Sequence, residues 1–464
     1  MQPVQTREWR KFGFGGPPQP WEHDAQRDLD RLATSYYLDI LQSRQSIRAR
    51  SHAAENAHRV EELYTAATRH KHEIDYTLRY PATPVERARV EDRLGSLMRI
   101  GMLMRELVEG APTARHRSRC PPPEPDASHA GSVRTLGRMP QLPTLADVNA
   151  ARSRLKGIAL RTPLEASPEL AQEIGAAEVR LKREELQPTG AFKTRGAHNK
   201  VAAIAEIHPE AALVTASSGN HGIAVAAAAA RHDMRVTVLV GRSISQTKLE
   251  RLRSFETGRF TVELIGNDTD DAEAEARRRD DAGHAVYVPP YNDPEVIAGQ
   301  ATVGAEILED WPEVDLIVVP VGGGGLIAGI GLWAKALKPD LRLIGVQPAA
   351  SPPMYAYFQT GSTEPMPIGP TLADGVAGNI ERSSITWKLC KRLVDEMVIV
   401  DEAEIADAMR WALEVPHALV EPSAVLGIAA LRSGRVACAD ARVAVVLTGR
   451  NVPPETLSAV LAGG

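Results

Sequence analysis

The chain has 464 residues, long enough to bury two or three hydrophobic cores, so some division of labour along it is expected. Its 54 Lys and Arg stand against 59 Asp and Glu, and a formal net charge of −5 gives no reason to expect nucleic acid or an anionic membrane as partner. A small molecule is the better expectation. The three cysteines, Cys120, Cys390 and Cys438, lie far apart without metal-ligand spacing, which excludes a disulfide scaffold and fits a reducing cytoplasm.

The N-terminus, MQPVQTREWRKFGFGG, is polar and lacks the apolar core of a signal sequence, and no run reaches the length of a membrane span. A soluble, cytoplasmic protein is therefore expected. After the Gly/Pro cluster FGFGGPPQP (12–20), Leu29, Leu32, Tyr36 and Ile40 repeat at helical spacing. A capping box at Thr83, Pro84 and Glu86 opens a further predicted helix through Val90, Leu94, Leu97, Leu103 and Leu107, which Gly110 and Pro112 stop. Residues 1–110 thus read as a helical extension, suited to dimerisation, partner docking or covering an active site. Glu55 and His58 form half of a di-iron helix motif, but the second half is absent and a polar helix face explains them. Residues 111–140, rich in Pro, Arg and Ser, read as a linker.

From 141 to 464 the texture changes. Short apolar runs, AALVTA (211–216), RVTVLV (235–240), DLIVVPV (315–321), LRLIGV (341–346) and RVAVVLT (442–448), alternate with alanine-rich helical stretches. That alternation predicts βαβ units and a parallel sheet covered on both faces.

Four clusters in this part carry chemistry. The first, QPTGAFKTRG (187–196), is a turn leading to Lys193 in an apolar, glycine-rich setting. A lysine amine must lose its proton to attack an aldehyde, and burial or a nearby cation lowers its pKa enough for that. Taken alone, the same residue reads as a solvated lysine after a loop. The second, TASSGNHG (215–222), lies between AALV and the alanine-rich IAVAAAAA (223–230). A strand-to-helix turn there offers backbone N–H groups and the positive end of a helix dipole to a carboxylate, with Ser217 and Ser218 adding hydroxyls. It reads equally as an ordinary capped helix start, with His221 a structural histidine.

The third cluster, VGGGGLIAG (321–329), follows DLIVVPV directly. Its glycines, Gly322, Gly323, Gly324 and Gly325, let backbone amides close on a phosphate. Gly323 to Ala328 also fits a dinucleotide fingerprint, but the next predicted strand runs into Gln347 and Pro348 where an acidic residue is needed. A phosphate on a smaller cofactor is favoured. The fourth, VVLTGRNV (445–452), places Thr448 at the mouth of the sheet with one hydrogen bond to offer.

In this order the clusters resemble the fold-type II pyridoxal phosphate enzymes, most closely the threonine/serine dehydratase and serine racemase branch, from about Leu142 to Val452. The connecting segments RTPL (161–164), DPEVIAGQ (293–300), LADG (372–375) and VEPS (420–423) match as well. The resemblance implies a tryptophan-synthase-β-like α/β fold, with a cofactor part at about 140–214 and 291–464 and a small mobile subdomain at about 215–290. It implies that pyridoxal 5′-phosphate is held as a Schiff base on Lys193, with Phe192 beside the ring. Asn220 would bond the ring's 3′-hydroxyl, Gly322 to Gly325 would cradle the phosphate, and Thr448 would face the pyridine nitrogen. Ser217, Ser218, Gly219, Asn220 and His221 would hold the carboxylate of an amino-acid substrate. The implied function is a dehydratase (ammonia-lyase) that eliminates the β-hydroxyl of L-serine, L-threonine or a relative to give a 2-keto acid and ammonia, in a homodimer or higher homo-oligomer.

Departures from that pattern qualify the expectation. Ser218 stands where serine racemases carry a second acid/base and many dehydratases carry alanine, which keeps racemisation open; a β-replacement synthase shares the same early steps. Metal-activated relatives carry acidic residues where this chain has Gln347 and Pro353, so no divalent-cation site is expected. Arg450 replaces a glycine beside Thr448 and points either to solvent or to an acidic group. A non-catalytic regulator is opposed by the joint retention of Lys193, Asn220, the four glycines and Thr448.

Overall fold

The computed structural model of the protein describes residues 142–463 except 245 and 255. The expected helical extension, its Glu55 and His58, and the expected linker lie outside the described residues. Among the described residues no helix is long and apolar enough to cross a membrane.

Two sheets organise the chain. The larger has the strand order β1 (Leu164–Ala166), β2 (Glu178–Arg183), β10 (Arg442–Leu447), β7 (Leu316–Pro320), β8 (Arg342–Pro348) and β9 (Glu396–Val400). Only β1 runs antiparallel to its neighbour; the other pairs are parallel, with Ala444 of β10 opposite both Arg180 and Ile317. The smaller, all-parallel sheet has the order β5 (Phe260–Leu264), β4 (Val236–Val240), β3 (Leu213–Ala216) and β6 (Val286–Tyr287). The five apolar runs read from the sequence become β3, β4, β7, β8 and β10. Their continuous apolar character follows from burial on both faces: every residue of β3 and β7 is buried.

In chain order the helices are α1 (Leu145–Arg154), α2 (Pro168–Ile174), α3 (Lys193–Ile207), α4 (Asn220–Arg231), α5 (Gln246–Arg253), α6 (Thr269–Asp281), α7 (Pro294–Asp310), α8 (Gly325–Leu337), α9 (Pro353–Thr360), α10 (Ile385–Leu393), α11 (Glu402–Glu414), α12 (Leu426–Arg432) and α13 (Pro454–Ala462). Helix α7 begins where the sequence dictates: Asp293 accepts from the N–H groups of Glu295 and Val296, both at 3.0 Å, and Pro294 occupies the first helical position. Helix α3 gives Ala197, Val201 and Ile204 to the core of the smaller sheet, where they meet Leu213, Ala224 and Val288. The helix headed by Lys193 therefore packs against the core of the smaller sheet and against α4.

The base of α3 is fixed by charges with almost no water around them. Arg195, 1% exposed, donates to both oxygens of Glu184 at 2.7 Å and to both oxygens of Glu306 at 2.6 and 2.8 Å. Lys182, fully buried in β2, reaches Glu306 at 2.6 Å and the Thr162 carbonyl at 2.8 Å. Two cations thus balance two carboxylates. Burial pushes the Glu184 carboxyl up, but the Arg195 guanidinium beside it more than offsets this and holds it below the usual carboxylate range. The cluster ties β2, the turn after it, α3 and α7 into one unit.

Removing one member of such a buried set leaves an uncompensated charge. Arg195→Met is expected to cost about 3–5 kcal/mol in urea unfolding, whereas Arg382→Ala, which breaks an exposed pair with Glu364, is expected to cost about 1 kcal/mol or less. Equal effects of the two substitutions would contradict this assignment.

Candidate active site

The sequence-predicted residues converge at the carboxyl ends of parallel strands, where α/β sheets form their crevices. Phe192, Lys193, Ser217 to His221, Gly322 to Gly325 and Thr448 all line one cavity of about 580 Å³.

Lys193 opens α3, and its amine donates to the Pro290 carbonyl at 2.7 Å. Protein surrounds the amine within the cavity. Burial pushes it down to about 8, against the opposing pull of the Glu273 and Glu421 carboxylates. The Phe192 ring centroid lies 5.2 Å from the amine. Burial thereby raises the unprotonated fraction of the amine near neutral pH above that of an ordinary lysine, which favours attack on an aldehyde.

Beyond β3 the chain turns into α4 at Gly219, whose N–H donates to Ser217 Oγ at 3.3 Å. Helix geometry leaves the N–H groups of the first turn of α4 without intrahelical partners, so this helix start presents donors and positive potential to the cavity. His221 lines the cavity as well, with its ring bonded just past the end of β6 in the smaller sheet. Its Nε2 lies 2.9 Å from the Val288 carbonyl, the ring is 2% exposed, and burial together with nearby Lys193 pushes its pKa down to about 3. The imidazole is a neutral strut between α4 and the end of β6, and the group His221 can offer an anion is its backbone N–H.

The four glycines follow β7 and lead into α8. Gly324 takes φ +84°, a conformation that favours glycine, and Gly323 packs so tightly under Tyr291 that any Cβ there would overlap the ring. Backbone amides and a helix start with no side chains in the way suit a phosphate. Buried Cys390, its thiol pushed up to about 12 by burial, rests against the Gly324 carbonyl at 3.7 Å as an inert packing group. Thr448, 4% exposed, lines the cavity at the end of β10, and its carbonyl accepts from the Phe192 N–H at 3.0 Å.

Three further residues enter the cavity that the motif reading did not single out. Glu421 accepts from the side-chain amide of Asn220 at 2.8 and 3.0 Å, and Asn451 donates to the other end of that amide at 2.6 Å. The VEPS segment and the asparagine after Arg450 were the available signals, but one sequence carries nothing to mark them as contacts of Asn220. Glu273 on α6 is pushed up to about 7 by burial and by the neighbouring Glu381, against Arg277, which pairs with both carboxylates. In addition, Ser423 Oγ and both polar side-chain atoms of Gln300 are buried in the lining without a protein partner among the described residues.

Two departures also find their places. Gln347 is buried at the end of β8, and its Oε1 accepts from the Tyr355 N–H at 2.9 Å, which ties the strand to α9, where Pro353 is the first residue. Arg450 is exposed and outside the cavity lining, with its backbone N–H bonded to the Gly190 carbonyl at 2.9 Å.

A desolvated amine, a glycine-lined helix start and orphaned polar atoms in one cavity fit an aldehyde cofactor that carries a phosphate. Comparison with known proteins agrees. The family model for pyridoxal-phosphate dependent enzymes matches residues 155–449. An L-threonine ammonia-lyase of Thermotoga maritima is 40% identical over 321 residues, 69% of this chain and 79% of its own length. An L-threo-3-hydroxyaspartate ammonia-lyase of a Pseudomonas species is 35% identical, over 70% of this chain and all of its own. The structure of maize serine racemase covers 70% of this chain and 98% of its own, with TM-score 0.64 and 30% identity. The chain therefore belongs to the pyridoxal-phosphate dependent enzyme family, in the threonine/serine dehydratase and serine racemase branch, and its cofactor is pyridoxal 5′-phosphate.

Proposed function

We propose that this enzyme is an ammonia-lyase for L-serine, L-threonine or a related β-hydroxy amino acid, with Lys193 as both the cofactor-bearing residue and the base that takes the α-proton. The observation that carries the proposal is the desolvated Lys193 amine, held in one cavity with two helix starts suited to anions. When bound, pyridoxal phosphate supplies a conjugated ring that makes the α-proton of an attached amino acid acidic. Gly322 to Gly325 and the start of α8 hold the phosphate. Ser217, Ser218 and the backbone N–H groups opening α4 hold the substrate carboxylate. Once the substrate amine takes its place on the cofactor, the freed Lys193 amine would take the α-proton and pass a proton to the departing β-hydroxyl, so that water leaves and the enamine released hydrolyses to the 2-keto acid and ammonia. Thr448 would face the ring nitrogen and favour elimination, because a hydroxyl is far too weak a base to keep a proton there.

A second reading, racemisation, is favoured by one observation: Ser218 lines the same cavity as Lys193 and carries a hydroxyl able to pass a proton. A panel of L- and D-hydroxy amino acids assayed for keto acid and for inversion separates the two. Keto acid without inversion is expected; inversion without keto acid would establish the racemase instead.

The charge of the cavity narrows the substrate. Against Lys193 its lining carries Asp268, Asp270, Glu273, Asp374 and Glu421. A second carboxylate on the substrate meets like charge, so kcat/KM for L-threo-3-hydroxyaspartate is expected to fall at least about tenfold below that for L-threonine. Glu273 gains its charge as pH rises through about 7, so the discrimination should steepen across that range. A preference for the dicarboxylic substrate would contradict this reading.

The amine itself gives a further test. Capture of added pyridoxal phosphate by the cofactor-free protein is expected to accelerate as pH rises through about 8, where the Lys193 amine loses its proton. A rate that rises only near pH 10 would show an amine with no help from burial.

A further inference from the structure

The side chain of Asn220 is gripped from both ends by residues of two loops beside the end of β10, a strand of the larger sheet, although Asn220 itself opens a helix that follows β3 of the smaller one. Its Nδ2 donates to Glu421 at 2.8 and 3.0 Å, and its Oδ1 accepts from Asn451 Nδ2 at 2.6 Å. The second N–H of Asn451 goes to the Thr189 carbonyl at 2.9 Å, in the turn that leads to Lys193. Both gripping side chains occupy space that glycines leave open. A Cβ on Gly449 would stand 2.5 Å from Glu421 Oε1, and one on Gly190, where φ is +79°, would stand 2.7 Å from Asn451 Oδ1. The Glu421 backbone N–H is tied to the Gly449 carbonyl at 3.0 Å, which fixes the carboxylate beside the end of β10.

We propose that Glu421 and Asn451 form a clasp on Asn220, as positioning residues that set the sense of its amide and join the asparagine helix to the lysine turn. A carboxylate accepts only and an amide nitrogen donates only, so a flipped Asn220 would face Glu421 oxygen to oxygen and Asn451 nitrogen to nitrogen. The clasp therefore permits one orientation. Both Glu421 oxygens face the same nitrogen of Asn220, so one N–H serves them and the other remains for an acceptor in the cavity. That acceptor is a cofactor oxygen, and this part of the inference rests on the function proposed above; the clasp itself does not.

The test compares wild type with Glu421→Ala, Glu421→Gln and Asn451→Ala by three readouts. In cofactor-free protein, hydrogen exchange in the first turn of α4 should speed up in Glu421→Ala and Asn451→Ala while β7 and β10 keep their protection. With pyridoxal phosphate, Kd should rise about 10- to 100-fold in Glu421→Ala, as loss of a charged hydrogen bond implies, and less in Glu421→Gln. Circular dichroism in the visible cofactor band should change in the variants, because the ring is seated differently; mere loss of stability would leave the spectrum of the bound fraction alone. Where Glu421→Ala fails to fold, Glu421→Gln and Asn451→Ala carry the same comparison. Unchanged exchange in α4, or a cofactor band and Kd equal to wild type, would overturn the clasp. A wild-type protein that takes up no pyridoxal phosphate would sink the proposed function alone, since the exchange arm decides the clasp without cofactor.

Discussion

Arg195 stands two positions beyond Lys193 on the same helix, which turns it some 200° away, onto the opposite face. There it meets Glu184 and Glu306, with Lys182 alongside. A charge set of this kind contributes little net stability, because desolvation consumes most of the Coulombic gain, but it tolerates almost no displacement. A helix whose buried face must satisfy a guanidinium with two carboxylates cannot slide or rotate by a fraction of a turn. The other face of that turn, carrying Lys193, is thereby delivered to one place in the cavity. Precision at the amine is set from behind it.

The remaining parts of the site follow from strand polarity. Because β3, β7 and β10 are parallel to their neighbours, each ends at the cavity side and hands the chain to a turn: Ser217 to Gly219 after β3, Gly322 to Gly324 after β7, Thr448 and Gly449 after β10. Two of these turns lead straight into helices, so two helix starts face one cavity with backbone donors and positive potential, the basis on which a phosphate and a carboxylate are proposed to bind there. The cationic residue left to the lining is Lys193, whose charge is already weakened by burial. The carboxylate-rich wall around that amine is the basis of the proposed discrimination against substrates with a second negative charge.

Much of this was legible in the sequence because parallel strands buried on both faces write themselves as apolar runs. AALVTA, RVTVLV, DLIVVPV, LRLIGV and RVAVVLT are β3, β4, β7, β8 and β10, and three of the four motif clusters fall at the ends of β3, β7 and β10, while the lysine turn follows β2. Strand β2, EVRLKR, was illegible for the opposite reason: it buries Lys182 in an ionic cluster, and a charged residue in the middle of a strand disguises the pattern. Strands β1 and β6 are too short to leave a signature, with three and two residues. Within the site, Lys193 and the glycines announce themselves by local sequence. Glu421 and Asn451 act on a residue 201 and 231 positions away, and only the fold brings them to it. His221 shows the limit of motif reading, since the motif places it in the cavity lining but does not reveal that its Nε2 bonds the Val288 carbonyl.

The central claim is that Lys193 is the residue joined to the cofactor. Borohydride reduction of the protein loaded with pyridoxal phosphate, followed by digestion and mass spectrometry, tests it without any assumption about substrate. The pyridoxyl-phosphate adduct is expected on the peptide containing Lys193, and is expected to be lost in Lys193→Ala. An adduct on a different lysine, or none in a protein that has taken up the cofactor, would contradict it.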